Sequence, residues 1–376
     1  MKHFNLLIIS ISLLFVISCS RKEPSYVITG EIKNPEVETI SLLTYRNSDT
    51  LATTYINDGT YQINGKVEKP QRVWFRAGKH YVDFVLENDK YSIIDAGLFS
   101  YAKGGEINSL VNGYYDIAEY IDAKNEASNP AIFENVDIMD KEAITNARTE
   151  FRKLAKIEWS IKEKYQKSII EGDYPILAKV FTLMDFQDWE NYPAEKRIEL
   201  LDLYQKEIGE NDLLVQLKSD YERVKKINEV RNSVKPGNPF KEVISKDIHG
   251  NDVRLSSTIE NNKYTLLEFW ASWCGPCRAE FPHLKNAYRE FNSKGFEIFA
   301  LSIDEKKEDW QKALEAENTP WINVAEFQGF KSEIVKQYAV TGVPSSFLIN
   351  NKGIIVAEGN DVRGFALDKK LKELFK

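Results

Sequence analysis

The sequence predicts a multidomain α+β and α/β chain, with an N-terminal antiparallel β sandwich or barrel, a central helical segment and a C-terminal α/β domain. Three observations predict it. Apolar and polar residues alternate in short runs near the N-terminus, recur at helical spacing in the middle, and fall into alternating strand-like and helix-like runs toward the C-terminus. The length agrees, because 376 residues exceed one domain at about 100–200 residues each. With 43% hydrophobic, 28% charged and 12% aromatic residues, the chain can fill real cores and is not of disordered composition.

Residues 1–18 form a targeting segment. Lys2 and His3 precede residues 4–18, of which 11 of 15 are Phe, Leu, Ile or Val. That run is shorter than the roughly 20 residues needed to span a bilayer, so it has the form of a signal-peptide core. Val16-Ile17-Ser18-Cys19 resembles a bacterial lipobox, which implies cleavage before Cys19 and lipid attachment to its sulfur. An ordinary signal peptide and an uncleaved anchor are the other readings. Residues 19–25 are a short polar tether.

Residues 26–104 contain strand-like runs at 26–33, 39–46, 51–56, 61–67, 72–76, 81–87 and 91–94. Asn34-Pro35, Asn47-Ser48-Asp49, Asp58-Gly59, Asn64-Gly65 and Asn88-Asp89 supply turns between them. Short strands at that spacing predict the sandwich or barrel.

From residue 105 to 231 the period becomes helical. Ile144, Ala147, Phe151, Leu154, Ile161, Tyr165 and Ile169 share a stripe, and Gly172-Asp173-Tyr174-Pro175, Asn191-Tyr192-Pro193 and Gly209-Glu210-Asn211-Asp212 break the run. Four or five antiparallel helices are expected. Residues 111–231 carry 18 basic and 25 acidic side chains, which accounts for the whole net charge of −7. This surplus is either a solvated face or a docking surface for a basic partner. No basic stripe suits a phosphate backbone, so nucleic acid is not an expected partner.

Residues 232–239, with two prolines and a glycine, are expected to be a linker to the domain at 240–376. That domain contains Glu268-Phe269-Trp270-Ala271-Ser272-Trp273-Cys274-Gly275-Pro276-Cys277. The apolar run 265–271 predicts a strand, and Gly275 opens an amphipathic helix through Phe281, Leu284, Tyr288 and Phe291. Cys274 therefore sits at a helix N-terminus, where unpaired N–H groups and the helix dipole stabilise a thiolate. Three residues on, Cys277 returns to the same side one turn later. Zinc would need two further ligands, and outside the pair the chain offers only Cys19 and four scattered histidines, so no metal or other cofactor is expected.

The string resembles the thioredoxin family, and more specifically the envelope-bound thiol:disulfide oxidoreductases of cytochrome c maturation. The resemblance covers about residues 235–376 and implies a thioredoxin-like α/β fold. Thr341-Gly342-Val343-Pro344 resembles the family's cis-proline segment, which implies that Pro344 and Val343 hold substrate backbone beside Cys274, with Trp273, Gly275 and Pro276 as further contacts. Residues 51–73, with Asp58-Gly59 and Gly65-Lys66-Val67, resemble a β-rich domain found ahead of such modules in envelope lipoproteins.

Thiolate chemistry supplies the expected mechanism: Cys274 attacks a substrate disulfide and Cys277 resolves the mixed disulfide. Glu268 matches the buried acidic position of thioredoxins and is the expected acceptor of the Cys277 proton, directly or through water. Glu280 matches an acidic position of the envelope-bound group. Each carboxylate also has a plain reading, as a solvated or capped group. His283, nearly two turns beyond Cys277, is expected to pack at the surface, while His80 and His249 show no partner. Trp270 and Trp273 are read as packing and active-site lid. The Gly275-Pro276 dipeptide is that of thioredoxin, which favours reduction of envelope protein disulfides, apocytochrome c among them. A reductant in an oxidising envelope implies a transmembrane thiol reductase as electron donor. Two other classes compete: a peroxiredoxin-like antioxidant, disfavoured because Ala271 stands where threonine is expected, and a binding lipoprotein with an accessory redox module.

Overall fold

The computed structural model describes residues 25–32, 36–134, 136 and 140–376. The signal segment, Cys19, most of the tether and the Asn34-Pro35 turn lie outside the described residues. The chain divides into two compact units, Met1–Pro193 with Leu200–Leu214 and Ala194–Glu199 with Val215–Lys376.

The first unit opens with β1 (Tyr26–Glu31), β2 (Thr39–Thr44), β3 (Thr50–Tyr55), β4 (Thr60–Gly65), β5 (Gln71–Ala77), β6 (His80–Leu86), β7 (Lys90–Asp95) and β8 (Ser100–Gly104). They form two sheets, ordered β4-β1-β7-β8 and β3-β2-β5-β6. Ile28 and Tyr91 from one sheet share a core with Ile40, Leu42, Phe75 and Phe84 from the other. Period-two alternation puts these residues on the inner faces, as a sandwich requires.

Three details depart from the expectation. The sandwich is not wholly antiparallel, because β1 pairs β7 in parallel. Strand β8, which the sequence pattern did not show, closes one edge against β7. Asn64-Gly65 is not a turn but the end of β4, with Gly65 opposite Tyr26 and Gly30 opposite Tyr61 on β1 and β4. Each tyrosine ring lies over the facing glycine, in the space a Cβ would occupy. A glycine in strand thus marks close approach here rather than a bend.

Helices α1 (Glu106–Val111), α2 (Ala118–Ala127), α3 (Lys141–Glu171), α4 (Ile176–Asp185), α5 (Ala194–Ile208) and α6 (Asp212–Ser233) follow, so six are seen among the described residues where four or five were expected. Asp140 caps α3, its Oδ1 accepting from the N–H groups of Glu142 and Ala143 at 2.9 and 3.0 Å. Pro175 and Pro193 stand immediately before α4 and α5. The predicted stripe of α3 is only partly buried: Ala147 and Ile169 are inside, while Phe151 is 40% exposed. At 31 residues α3 is three times as long as α2 or α4, which have 10 each, so its partners cannot cover it along its whole length.

The C-terminal domain comprises β9 (Ile244–Lys246), β10 (Asp252–Arg254), α7 (Leu255–Glu260), β11 (Tyr264–Trp270), α8 (Gly275–Phe291), β12 (Phe296–Ser302), α9 (Lys307–Glu317), β13 (Ile322–Ala325), α10 (Glu333–Gln337), β14 (Ser345–Asn350), β15 (Ile355–Glu358) and α11 (Gly364–Leu374). The sheet order is β10-β9-β13-β12-β11-β14-β15, with β11, β12 and β13 parallel and β14 antiparallel to β11. A thioredoxin-like α/β fold results. Central β11 is buried on both faces, which is why its sequence is almost uninterruptedly apolar. On one face Phe269 packs on Tyr338 and Phe347, and on the other Trp270 packs on Phe281 of α8.

One expectation changes in this domain. Residues 232–239 are not a free linker: Gly237 N donates to the Ile355 carbonyl, Ile355 N to the Asn238 carbonyl, and Val234 is buried in the domain core. This segment covers the outer edge of β15, which would otherwise be an open sheet edge.

Candidate active site

β11 ends at Trp270, and residues 271–273 carry the chain into α8. Cys274 is the N-cap of that helix and Pro276 lies in its first turn, where a missing N–H costs no helical bond. Cys274 and Cys277 are joined as a disulfide with Cα atoms 5.3 Å apart. The Cys277 N–H points at Cys274 Sγ from 3.1 Å. Both cysteines are buried, Cys274 at 4% exposure and Cys277 with none.

Val343-Pro344 is a cis peptide bond, and the Val343 carbonyl oxygen lies 3.6 Å from Cys274 Sγ. Trp273, Gly275 and Pro276 are exposed around the disulfide. Trp270 differs from Trp273 completely: it is a core residue with no exposure, whereas Trp273 is 61% exposed.

Glu268 sits in the middle of β11, between Ala300 on β12 and Ser346 on β14, and is 1% exposed. Alternation places it on the face of β11 that carries Trp270, under α8. Burial pushes its carboxyl up to about 8, with nearby Glu280 adding to the rise while Ser346 and Arg363 oppose it. Glu280, on α8, accepts a hydrogen bond from the N–H of Gly364 at the head of α11. The two glutamates thus belong to one electrostatic group.

Two members of the site carry no motif in the sequence. Asp304, 1% exposed just past β12, accepts from Ser272 N at 2.9 Å, Ser272 Oγ at 2.6 Å and Ser302 Oγ at 2.7 Å. It holds the loop that carries the cysteines. Arg363, before α11, lies near Glu268 with its Nε buried and without a hydrogen-bond partner among the described residues. An acid closing the apolar run 296–303 was the available signal for Asp304; nothing local pointed to Arg363.

His283 packs edge-on against Phe365 with ring centroids 5.1 Å apart, a surface packing position. His249 lies in the β9–β10 turn and His80 opens β6. Among the described residues no cluster of three or more His, Cys, Asp or Glu is arranged to hold a metal ion, and no helix is long and apolar enough to cross a membrane.

The AhpC/TSA family model matches residues 236–358, and the model of a domain of unknown function, DUF4369, matches residues 26–110. Thiol-disulfide oxidoreductase ResA of Bacillus thuringiensis subsp. konkukian is 30% identical over 130 residues, which cover 35% of this chain and 70% of the relative. ResA of Bacillus subtilis is 29% identical over 126 residues, 34% of this chain and 68% of the relative. Among solved structures, the thioredoxin domain of a thiol-disulfide oxidoreductase from Bacteroides vulgatus is 31% identical, matching 38% of this chain and 100% of that one with a TM-score of 0.36. With that identity across more than two thirds of a ResA relative, the chain belongs to the thioredoxin-like thiol-disulfide oxidoreductases.

Proposed function

We propose that the protein is a lipid-anchored reductant of protein disulfides in the cell envelope, working through Cys274 and Cys277. The observation that carries the reading is the asymmetry of the pair: Cys274 is the helix N-cap with its sulfur faced by the Cys277 N–H and keeps 4% exposure, while Cys277 has none.

In the reduced enzyme that N–H and the positive end of α8 stabilise a thiolate on Cys274. The thiolate attacks one sulfur of a substrate disulfide; that S–S bond breaks, the other substrate sulfur leaves as a thiolate, and a mixed disulfide forms on Cys274. Cys277 then gives its proton to Glu268 and attacks Cys274 Sγ, which expels the second substrate sulfur. Two electrons pass from the Cys274–Cys277 dithiol to the substrate, and the disulfide seen here is the oxidised product. The Val343 carbonyl beside Cys274 offers an acceptor for substrate backbone during the mixed-disulfide stage.

A transmembrane thiol reductase returns the two electrons, and apocytochrome c is the expected type of substrate. The anchor is lipid on Cys19. Trapping with Cys277→Ser tests the reading: substrates should accumulate as mixed disulfides on Cys274, and captured envelope proteins should be released by dithiothreitol. Failure of the dithiol form to reduce insulin or any captured disulfide would overturn it.

A further inference from the structure

The β sandwich leaves two strand edges to account for. Strands β6 and β8 are edge strands, each paired on one side only. At one end both edges are closed by side chains. Val85 N donates to Asn108 Oδ1 at 3.2 Å and the Val85 carbonyl accepts from Tyr91 Oη at 3.1 Å, while Asn108 Nδ2 donates to the Ala102 and Gly104 carbonyls of β8. The outward groups of Val85 are therefore satisfied.

In an antiparallel ladder alternate residues turn their backbone groups away from the partner strand. Since Val85 faces outward, so do Asp83 and Tyr81. Their outward N–H and C=O groups have no hydrogen-bond partner among the described residues. Around them lies an open cleft of about 850 Å³, bounded on one side by the first half of β6 and on the other by the β7–β8 hairpin tip, with Phe75 and Ala77 at its floor.

Among the described residues lining the cleft, three carboxylates, Glu31, Asp83 and Asp95, face one lysine, Lys124. Asp83 is paired with Arg72, and Lys124 is paired with Glu158 at 3.0 Å. Glu31 and Asp95 also line the cleft, and neither has an ion pair among the described residues. Tyr81 and Leu98, 54% and 51% exposed, give it apolar walls.

We propose that this cleft binds an extended polypeptide bearing lysine or arginine, which adds to β6 as a strand beside Tyr81 and Asp83 and sets its cations against Glu31 and Asp95. The spacing of the free backbone groups supplies the ladder, and the two carboxylates supply the selectivity. The site lies in the β sandwich and needs no thiol, so it stands or falls apart from the redox reading.

The test is fluorescence anisotropy with a short labelled peptide of alternating valine and lysine. It is titrated with the full chain carrying Cys274→Ser and Cys277→Ser, so that no disulfide can form. Saturable binding is expected. Tyr81→Pro removes one outward N–H at an edge position where proline is tolerated, and should weaken binding about tenfold or more. The double variant Glu31→Lys, Asp95→Lys alters no backbone group; it too should weaken the lysine peptide about tenfold and should bind the glutamate version instead. Equal affinity for a peptide with its valines replaced by proline, unchanged affinity in the charge-reversed variant, or a dimer held through β6 would each overturn the proposal.

Discussion

Asp304 holds Ser272 by two groups at once, accepting from its backbone N–H at 2.9 Å and from its hydroxyl at 2.6 Å. Ser272 is two residues before Cys274, so this buried carboxylate fixes the loop that carries the N-cap cysteine. Asp304→Ala leaves the Ser272 N–H and two hydroxyls without their acceptor. A loss of about 2–4 kcal/mol in stability is expected, with a fall in thiol exchange of about tenfold. Asp304→Asn keeps one acceptor oxygen and should recover part of both. Urea unfolding and alkylation of Cys274 in folded protein measure them; wild-type alkylation kinetics in Asp304→Ala would show that the loop needs no such tether.

Glu268 should make the protein less stable as the solution becomes more alkaline. Its folded carboxyl stands at about 8, above the ordinary value of 4.5, because burial disfavours the charge. Between those values the native state keeps a proton that the unfolded chain releases. The stabilising contribution is complete below about pH 4.5 and is lost as pH rises to about 8, at no more than roughly 1.4 kcal/mol per unit. Glu268→Gln should be flat over that window in denaturant titrations at several pH values.

The same group should leave a kinetic mark. A carboxyl poised near 8 is mostly protonated at neutral pH, so the resolving step should accelerate toward pH 8 as Glu268 becomes able to take the Cys277 proton. Stopped-flow decay of a preformed mixed disulfide reads this step. Glu268→Gln should slow it about tenfold or more and remove the inflection, whereas an inflection that persists in the variant assigns it elsewhere.

In the first unit, Asp185 lies 3.6 Å from Arg72 and 2.6 Å from Lys162. Burial raises its carboxyl, but Lys162 and Arg72 outweigh that and hold it below the ordinary range. Its stabilisation is present above the unfolded value and is lost as pH falls through the depressed folded one. Asp185→Asn should cost about 2 kcal/mol at neutral pH and make acid unfolding of the β and helical part shallower. Tryptophan and tyrosine fluorescence through an acid titration checks both.

Cys19→Ser should abolish palmitate labelling in cells and leave insulin reduction by the purified protein unchanged, because the proposed function puts lipid on Cys19 and electron exchange on Cys274 and Cys277. Labelling that survives the substitution would place the lipid on another residue.

The dithiol, its helix and the central strand were legible in the sequence because each depends on neighbours along the chain, a strand pattern and two cysteines one turn apart, whereas the cis-proline segment was legible only through the family resemblance. Glu268 was visible for a similar reason, as a lone charge in the apolar run 264–270. Its displaced titration was not, since burial beneath α8 and the approach of Glu280 and Arg363 come from separate elements. Asp304 and Ser272 are 32 residues apart and meet only when β11 and β12 pair, so no local pattern announces their bond. The covered edge of β15 and the uncovered edge of β6 were equally hidden. Hydrophobic periodicity says which face of a strand is buried, but whether its backbone has a neighbour is decided by the order of strands in the sheet, and that order exists only in the folded chain.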